Sequence, residues 1–460
     1  MNDRSAPSNR PTGRLERTQK LEHSPFDAAP RSGLRWGRPL TRRRPALTQP
    51  NSSTVAIKDS RKGWVVVGTL FLMLGIVITG RSSIGLMMPF WRDDLGWSYG
   101  FVSTAGAIMM TVMAAIAPAA GLVLDRFGSR VIYAVGMGFI GTAFILCSFM
   151  TEPWQLVVLF SVFGGIGFSV VSPSLVSSTV ARYFDSKLGL ATSIASSGAT
   201  GGQLALMPLL GWLVVAVGWR ASFVAIGAAV LATAIIVPIL IGREPRNEPG
   251  AGKTQGWGLK PTFDQLRSDR TFWLVTSGFF ICGFTTTGVI KIHLIPYAVS
   301  CGFPPLQSAF AYGVMCFFSL AGMILYGHLS DRFHRPALLA SIYFMRALCF
   351  ILLLQISDGP STLFTFAILF GIFDYSTFPI VASLVATHIG RHIMGISMGL
   401  IFAAHSLGAA LGSFMGGYLF ELSARYDWVW LGSFGLALVA ALLTSLIKEN
   451  RTPVAEPALV

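Results

Sequence analysis

The sequence predicts an all-α membrane protein with twelve transmembrane helices in two pseudo-symmetric six-helix bundles. Three observations carry that prediction. Only 12% of the 460 residues are charged while 53% are hydrophobic, with a mean hydropathy of +0.62; soluble domains carry about 25% charged residues. Apolar segments of roughly 20 residues, enough to span about 30 Å of hydrocarbon, recur from Gly63 onward. Finally, matching residues recur in the two halves at a nearly constant spacing.

Along the chain, residues 1–62 hold 14 of the 35 Lys and Arg, including RRRP at 42–45, and show no hydrophobic periodicity. They read as a disordered basic cytoplasmic tail. The stretch lacks the apolar core of a secretory signal; an Arg-rich targeting peptide or an over-extended start are the alternatives. Helices are expected near 63–90, 99–121, 131–150, 154–180, 188–216 and 219–241, forming an N-terminal bundle over 63–241. A polar cytoplasmic linker at 242–271 separates these from helices near 272–298, 306–329, 336–355, 361–387, 393–420 and 427–447. The second bundle thus covers 272–447, and residues 448–460 form a cytoplasmic tail.

Loop charge orients the chain. With both termini cytoplasmic, the inner loops hold Arg126, Arg130, Arg182, Lys187, six cations in 242–270, Arg332, Arg335 and Arg391. The outer loops hold only Arg92, Arg220 and Arg425. That asymmetry follows the positive-inside rule. It also places the net charge of +14 in the tail and inner loops, so nucleic acid is not an expected partner. The five cysteines are scattered, which supports neither a disulfide framework nor a zinc site. No Walker loop, HExxH, nucleophile elbow or paired catalytic carboxylates appear. The chain is therefore not expected to be an enzyme or to hold a cofactor, and any energy must come from gradients.

The halves repeat. Asp125-Arg126-Phe127 recurs as Asp331-Arg332-Phe333, an offset of 206 that Gly165/Gly371 and Pro173/Pro379 share. Gly198 and Gly202 match Gly408 and Gly412 at an offset of 210. Two parallel six-helix units related by an axis along the membrane normal are a transporter arrangement with a central site. The Gly series, with Gly416 added, permits close helix contact, expected between helices five and eight and between eleven and two.

The loops GLVLDRFGSR (121–130) and GHLSDRFHR (327–335) resemble the signature loop of the major facilitator superfamily. The first carries one extra residue before its final Arg, and the second has His334 where the family often has Gly. The resemblance implies the alternating-access fold, with Asp125, Arg126, Arg130, Asp331, Arg332 and Arg335 forming a cytoplasmic latch or gate. An anchored interfacial turn is the plainer reading. The run KGWVVVGTLF through GIVITGRSSIGLMMPF and GWSYGFVSTAGA resembles the monocarboxylate transporter family and its bacterial relatives, oxalate:formate antiporters included. So do ARYFDSKLGLATSIASSGATGGQLALMPLL (181–210), GWRASF (218–223) and IKIHLIPYAVSCGFPPLQSA (290–309). Arg81-Ser82 stands where the animal members keep a basic residue and Ser. The first helix lacks their opening acidic residue, and the eighth has no charged pair before its loop.

The resemblance implies that helices 1, 4, 7 and 10 line a central cavity. Arg81, Lys291, His293 and Asp374 fall on those helices, His405 on the eleventh and Arg346 on the ninth. An ionisable residue inside a membrane is a functional candidate by default because of its desolvation cost. Two cations on pseudo-equivalent helices, Arg81 and Lys291, suit a carboxylate bound between the halves; Arg81 snorkelling to the interface is the alternative. Asp374 reads as a proton site or as a static partner for a cation. Arg346 reads as structural. His293 and His405 are weaker candidates, since many helical histidines bond a backbone carbonyl. Tyr375, Phe373 and Phe378 are candidate substrate contacts.

These readings predict a secondary active transporter of small organic anions, most simply monocarboxylates such as lactate or pyruvate, proton-coupled or exchanging. An oxalate/formate-type exchanger and a carrier of a larger anionic or aromatic metabolite or drug are left open. The expected partners are the anion, protons and the bilayer of the plasma (cell inner) membrane, with the protein a monomer.

Overall fold

The computed structural model describes residues 61–180, 182–184, 188–242, 265–356, 359–389 and 394–449. Most of the expected N-terminal tail, linker and C-terminal tail lies outside these residues. The described chain is helical and contains no strand. The helices are α1 (Arg61–Leu95), α2 (Tyr99–Phe127), α3 (Ser129–Cys147) and α4 (Pro153–Val180). Next come α5 (188–217) and α6 (219–241), separated by Gly218 at φ +82°, a left-handed conformation that Gly reaches without steric cost. The second half holds α7 (Arg270–Ser300), α8 (Pro305–Arg332), α9 (Arg335–Leu353), α10 (Pro360–Ile389), α11 (Met394–Ser423) and α12 (Asp427–Ser445). Each lies within a few residues of its expected segment, and the chain is an integral membrane protein.

Sequence sets the starts. Ser98 Oγ accepts from Phe101 N–H (3.2 Å) at α2, and Asp269 accepts from Thr271 and Phe272 N–H at α7. Pro305, Pro336 and Pro360 open α8, α9 and α10, where a missing N–H costs nothing. Both signature loops sit at one end of the bundle, here the basic end. Gly128 takes φ +81° in the first. In the second, His334 sits at φ −64° and its Nδ1 accepts from Ala337 N–H (3.3 Å), capping α9. Two residues, Phe333 and His334, join α8 to α9 where Gly128 alone joins α2 to α3, so the second connection turns without a left-handed residue and His is tolerated there.

The repeat shows as matched irregularities. α4 is interrupted at Val171–Ser172 just before Pro173, and α10 at Tyr375–Ser376 just before Pro379. Discontinuous helices at mid-membrane are where transporters place polar backbone groups. α7 winds into wider π-type turns over Gly283–Ile290, immediately before Lys291.

The glycine series packs differently from the expectation. A Cβ on Gly198 or Gly202 would strike Phe71 or Gly75 of α1, and one on Gly408 or Gly412 would strike Phe280 or Phe284 of α7. These smooth faces therefore join α5 to α1 and α11 to α7 within each half. The halves instead meet through other small residues: Gly211 against Ala309 and Gly313 against Pro208 join α5 to α8, while Gly417 and Gly106 join α2 to α11. Spacing four apart marks a smooth stripe; it does not name the partner helix.

Candidate functional site

At the centre of the second half, Lys291 Nζ (α7) lies 3.5 Å from Asp374 Oδ2 (α10), both almost fully buried. Ser319 Oγ of α8 donates to the same carboxylate oxygen (3.1 Å), and the Tyr375 ring covers the ammonium at 4.0 Å. Thus Asp374 is here the partner of Lys291, one of the alternatives its position allowed. A charge pair held by hydrogen bonds and a π-face can persist in low dielectric. α8 contributes a hydroxyl to this pair and no charge.

Arg81 is half-buried on α1 and enters no ion pair or hydrogen bond among the described residues. Its place is fixed through Gly85, one turn further along the same helix face. A Cβ on Gly85 would meet the carbonyls of Lys291 and Ile292. Arg81 therefore stands about 6 Å toward the basic end from the level of Lys291, on the side of α1 turned to α7.

His293 is fully buried. Its Nε2 donates to the Ser413 carbonyl (3.1 Å), and its Nδ1 accepts from Tyr426 Oη (3.2 Å). His405 donates from Nδ1 to the Phe279 carbonyl and accepts at Nε2 from Thr287 Oγ1, both at 3.1 Å. In each ring the nitrogen facing the carbonyl donates, since a carbonyl can only accept, and the other nitrogen meets a hydroxyl. Arg346 has zero exposure: it donates to the Phe373 and Asp374 carbonyls on α10 and, from Nη1, to Cys282 Sγ (2.9 Å) and Thr286 Oγ1 (3.2 Å) on α7. Phe373 is buried and Phe378 is exposed.

Sequence reasoning missed a cluster between the halves. Gln203 Nε2 (α5) donates to Ser82 Oγ of α1 (2.7 Å) and lies 3.4 Å from Tyr312 Oη of α8, while its Oε1 faces Cys316 Sγ at 3.6 Å. All four are buried. Tyr312, Cys316 and Ser319 form one stripe of α8, which runs from this cluster to Asp374. Uncharged groups in apolar runs gave no signal beyond Ser82, which stood out only as the neighbour of Arg81.

Two further inter-half hydrogen bonds among the described residues lie toward the end opposite the signature loops. Gly100 N–H donates to Glu421 Oε1 (2.9 Å) and Ser413 Oγ to the Ser103 carbonyl (2.8 Å), with Tyr99 stacked on Phe420. At the basic end, the described partners stay within one half. Arg130 Nε donates to the Pro238 carbonyl (3.0 Å), and Arg335 reaches Glu449, Thr387 and the Ser330 carbonyl. Arg126 lies over the Phe127 ring, and Arg332 ends α8. The side chains of Asp125 and Asp331 lie outside the described residues. Glu449, also missed, was visible only as an acid just beyond α12.

Twelve helices among the described residues, in two repeated bundles, with a buried charge pair joining α7 to the break in α10, define a membrane transporter. A family profile described as Major Facilitator Superfamily matches residues 70–412 and 320–459, and the chain belongs to that superfamily. It is 24% identical to the uncharacterised MFS-type transporter YcxA of Bacillus subtilis (strain 168), over 85% of this chain and 96% of the relative. It is 25% identical to monocarboxylate transporter 13 of Bos taurus (84% and 90% covered) and 23% identical to human monocarboxylate transporter 2 (85% and 86%). Among solved structures, a bacterial homologue of the human lysosomal transporter Spinster, inward-facing and unoccupied, superposes with TM-score 0.72 at 16% identity, covering 84% of this chain and 97% of that one. The D-xylose-proton symporter gives 0.66 at 15% identity, covering 83% and 96%.

Proposed function

We propose that this chain carries small organic anions, monocarboxylates first among them, across the plasma membrane with both termini cytoplasmic, and that protons drive the movement through Asp374. The observation that carries the reading is the unequal state of two cations. Lys291 is neutralised by Asp374, while Arg81 has no such partner among the described residues. With the opposite end closed, an anion arriving from the basic end would meet Arg81 first. Protonation of Asp374 removes the counter-charge from Lys291, whose ammonium can then join Arg81 on the carboxylate. Deprotonation would restore the pair and release the anion, so anion and proton travel together. The anion bridges the two halves by charge-assisted hydrogen bonds, which links its binding to their rocking. The monocarboxylate transporters among the relatives support the substrate class.

The test is radiolabelled uptake into proteoliposomes with lactate, pyruvate, oxalate and formate, with and without a pH gradient. Uptake of a monocarboxylate that a gradient accelerates is expected. Failure of every one of these anions to move or to compete would overturn the anion reading; gradient-independent exchange would overturn the proton role of Asp374.

A further inference from the structure

The side chains of Asp374 and Tyr375 are adjacent in sequence, yet both face the same ammonium: the carboxylate at 3.5 Å and the ring at 4.0 Å from Lys291 Nζ. In an unbroken α-helix consecutive side chains diverge by about 100°. The interruption of α10 brings them together. Pro379 has no N–H for the Tyr375 carbonyl, and its ring crowds that carbonyl. The Phe378 N–H turns to Tyr375 O instead (3.2 Å), and Ser376 Oγ takes the Ile372 carbonyl (2.6 Å). The Phe373 and Asp374 carbonyls are the ones to which Arg346 donates, through Nε and Nη2.

The rest of that guanidinium reaches the other helix of the pair. Nη1 donates to Cys282, which immediately precedes the π-wound part of α7, and to Thr286 within it, about two turns and one turn before Lys291. Cys282 Sγ also lies 3.9 Å from Thr377 Oγ1, just past the break. No carboxylate pairs with Arg346 among the described residues, so its charge is spent on backbone carbonyls, the Cys282 sulfur and the Thr286 hydroxyl. A lysine could not replace it, because only a planar fork serves two helices at once.

We infer, resting on the transport reading of the Lys291–Asp374 pair, that Arg346 is a positioning residue for transport. It holds α10 broken and ties the break to α7, so that Asp374 and Tyr375 both present to Lys291. It touches no substrate; it acts through the placement of the pair.

The experiment compares R346K, R346Q, P379A, D374N and R346Q/D374N in proteoliposomes, normalised to folded protein by size-exclusion and thermal unfolding. Both proton-driven accumulation and anion exchange are read. R346K and R346Q should each lose accumulation on the order of tenfold or more, as misplacement of reacting groups does. P379A should lose it too, because an intact α10 turns Tyr375 away even with Arg346 present. In the D374N background, R346Q should change anion exchange by less than about twofold, since two residues acting through one element do not add. Full accumulation by folded R346K, or by P379A should the Arg346 variants not fold, would overturn the inference while leaving the role of the pair intact. A further large loss in R346Q/D374N would overturn it as well. Full accumulation by D374N would instead remove the parent reading, and this one with it.

Discussion

Gly85 of α1 and Ile292 of α7 meet backbone to backbone, so closely that a Cβ on Gly85 would fall on the Ile292 carbonyl. The contact lies between the two halves, level with Lys291, and on its far side come the Tyr99–Phe420 stack and the Gly100–Glu421 hydrogen bond. The molecule is thus shut at the end opposite its signature loops. Enlarging Gly85 should prevent that closure, because the atoms met are main chain and cannot rotate aside. Spin labels attached at Asp93 and Ser300 through an unnatural amino acid, so that Cys282 and Cys316 are kept, should report a longer distance in G85V than in the parent, together with reduced transport. An unchanged distance would mean that the helices yield elsewhere.

Arg81 gives the most direct test of substrate contact. It is half-buried and enters no described pair or hydrogen bond, so its removal takes little from the fold. R81Q should therefore unfold within a few degrees of the parent while losing anion uptake by on the order of a hundredfold, the scale of a lost charge-assisted contact. R81K should keep part of the activity, since the charge survives without the bidentate fork. Normal uptake by R81Q would make Arg81 an interfacial anchor.

The charged groups were legible in the sequence because each is costly in hydrocarbon: Arg81, Lys291, Asp374 and Arg346 all stood out against apolar runs. So was the fold, from segment length and the Asp-Arg-Phe repeat. Which groups pair was not legible, because Lys291 and Asp374 are 83 residues apart in sequence and only packing brings them together. The Ser82–Gln203–Tyr312 cluster was invisible for a different reason. Hydroxyls and amides are common in such helices, and only their burial between halves gives these meaning. The glycine stripes were seen and given the wrong partners, since a smooth face fits several neighbours equally well.

Glu421 should act as part of the closure at the opposite end. Its carboxylate accepts from Gly100 N–H at the start of α2, where the helix dipole favours a negative group. The site is exposed, so the hydrogen bond is worth only about 1 kcal/mol, or about a fivefold change in a two-state population. E421A should raise the fraction of molecules open at that end by about this factor, read as a longer-distance component between the labels at Asp93 and Ser300. A population indistinguishable from the parent would show that the aromatic stack alone holds the halves together.

Removing one member of the buried pair should expose its second role. In D374N, Lys291 loses the carboxylate 3.5 Å away but stays buried, a situation that destabilises proteins by on the order of 3–5 kcal/mol. The transported anion would supply the missing charge, and a ligand at a hundred times its dissociation constant returns about 2.7 kcal/mol. D374N should thus unfold well below the parent in detergent, and added monocarboxylate should raise its melting temperature more than it raises the parent's, because the parent must first give up its internal pair. K291M/D374L supplies the control. With no buried charge left to neutralise, it should unfold near the parent temperature, ignore the anion, and fail to transport. An anion that stabilises all three proteins equally would place its binding away from Lys291.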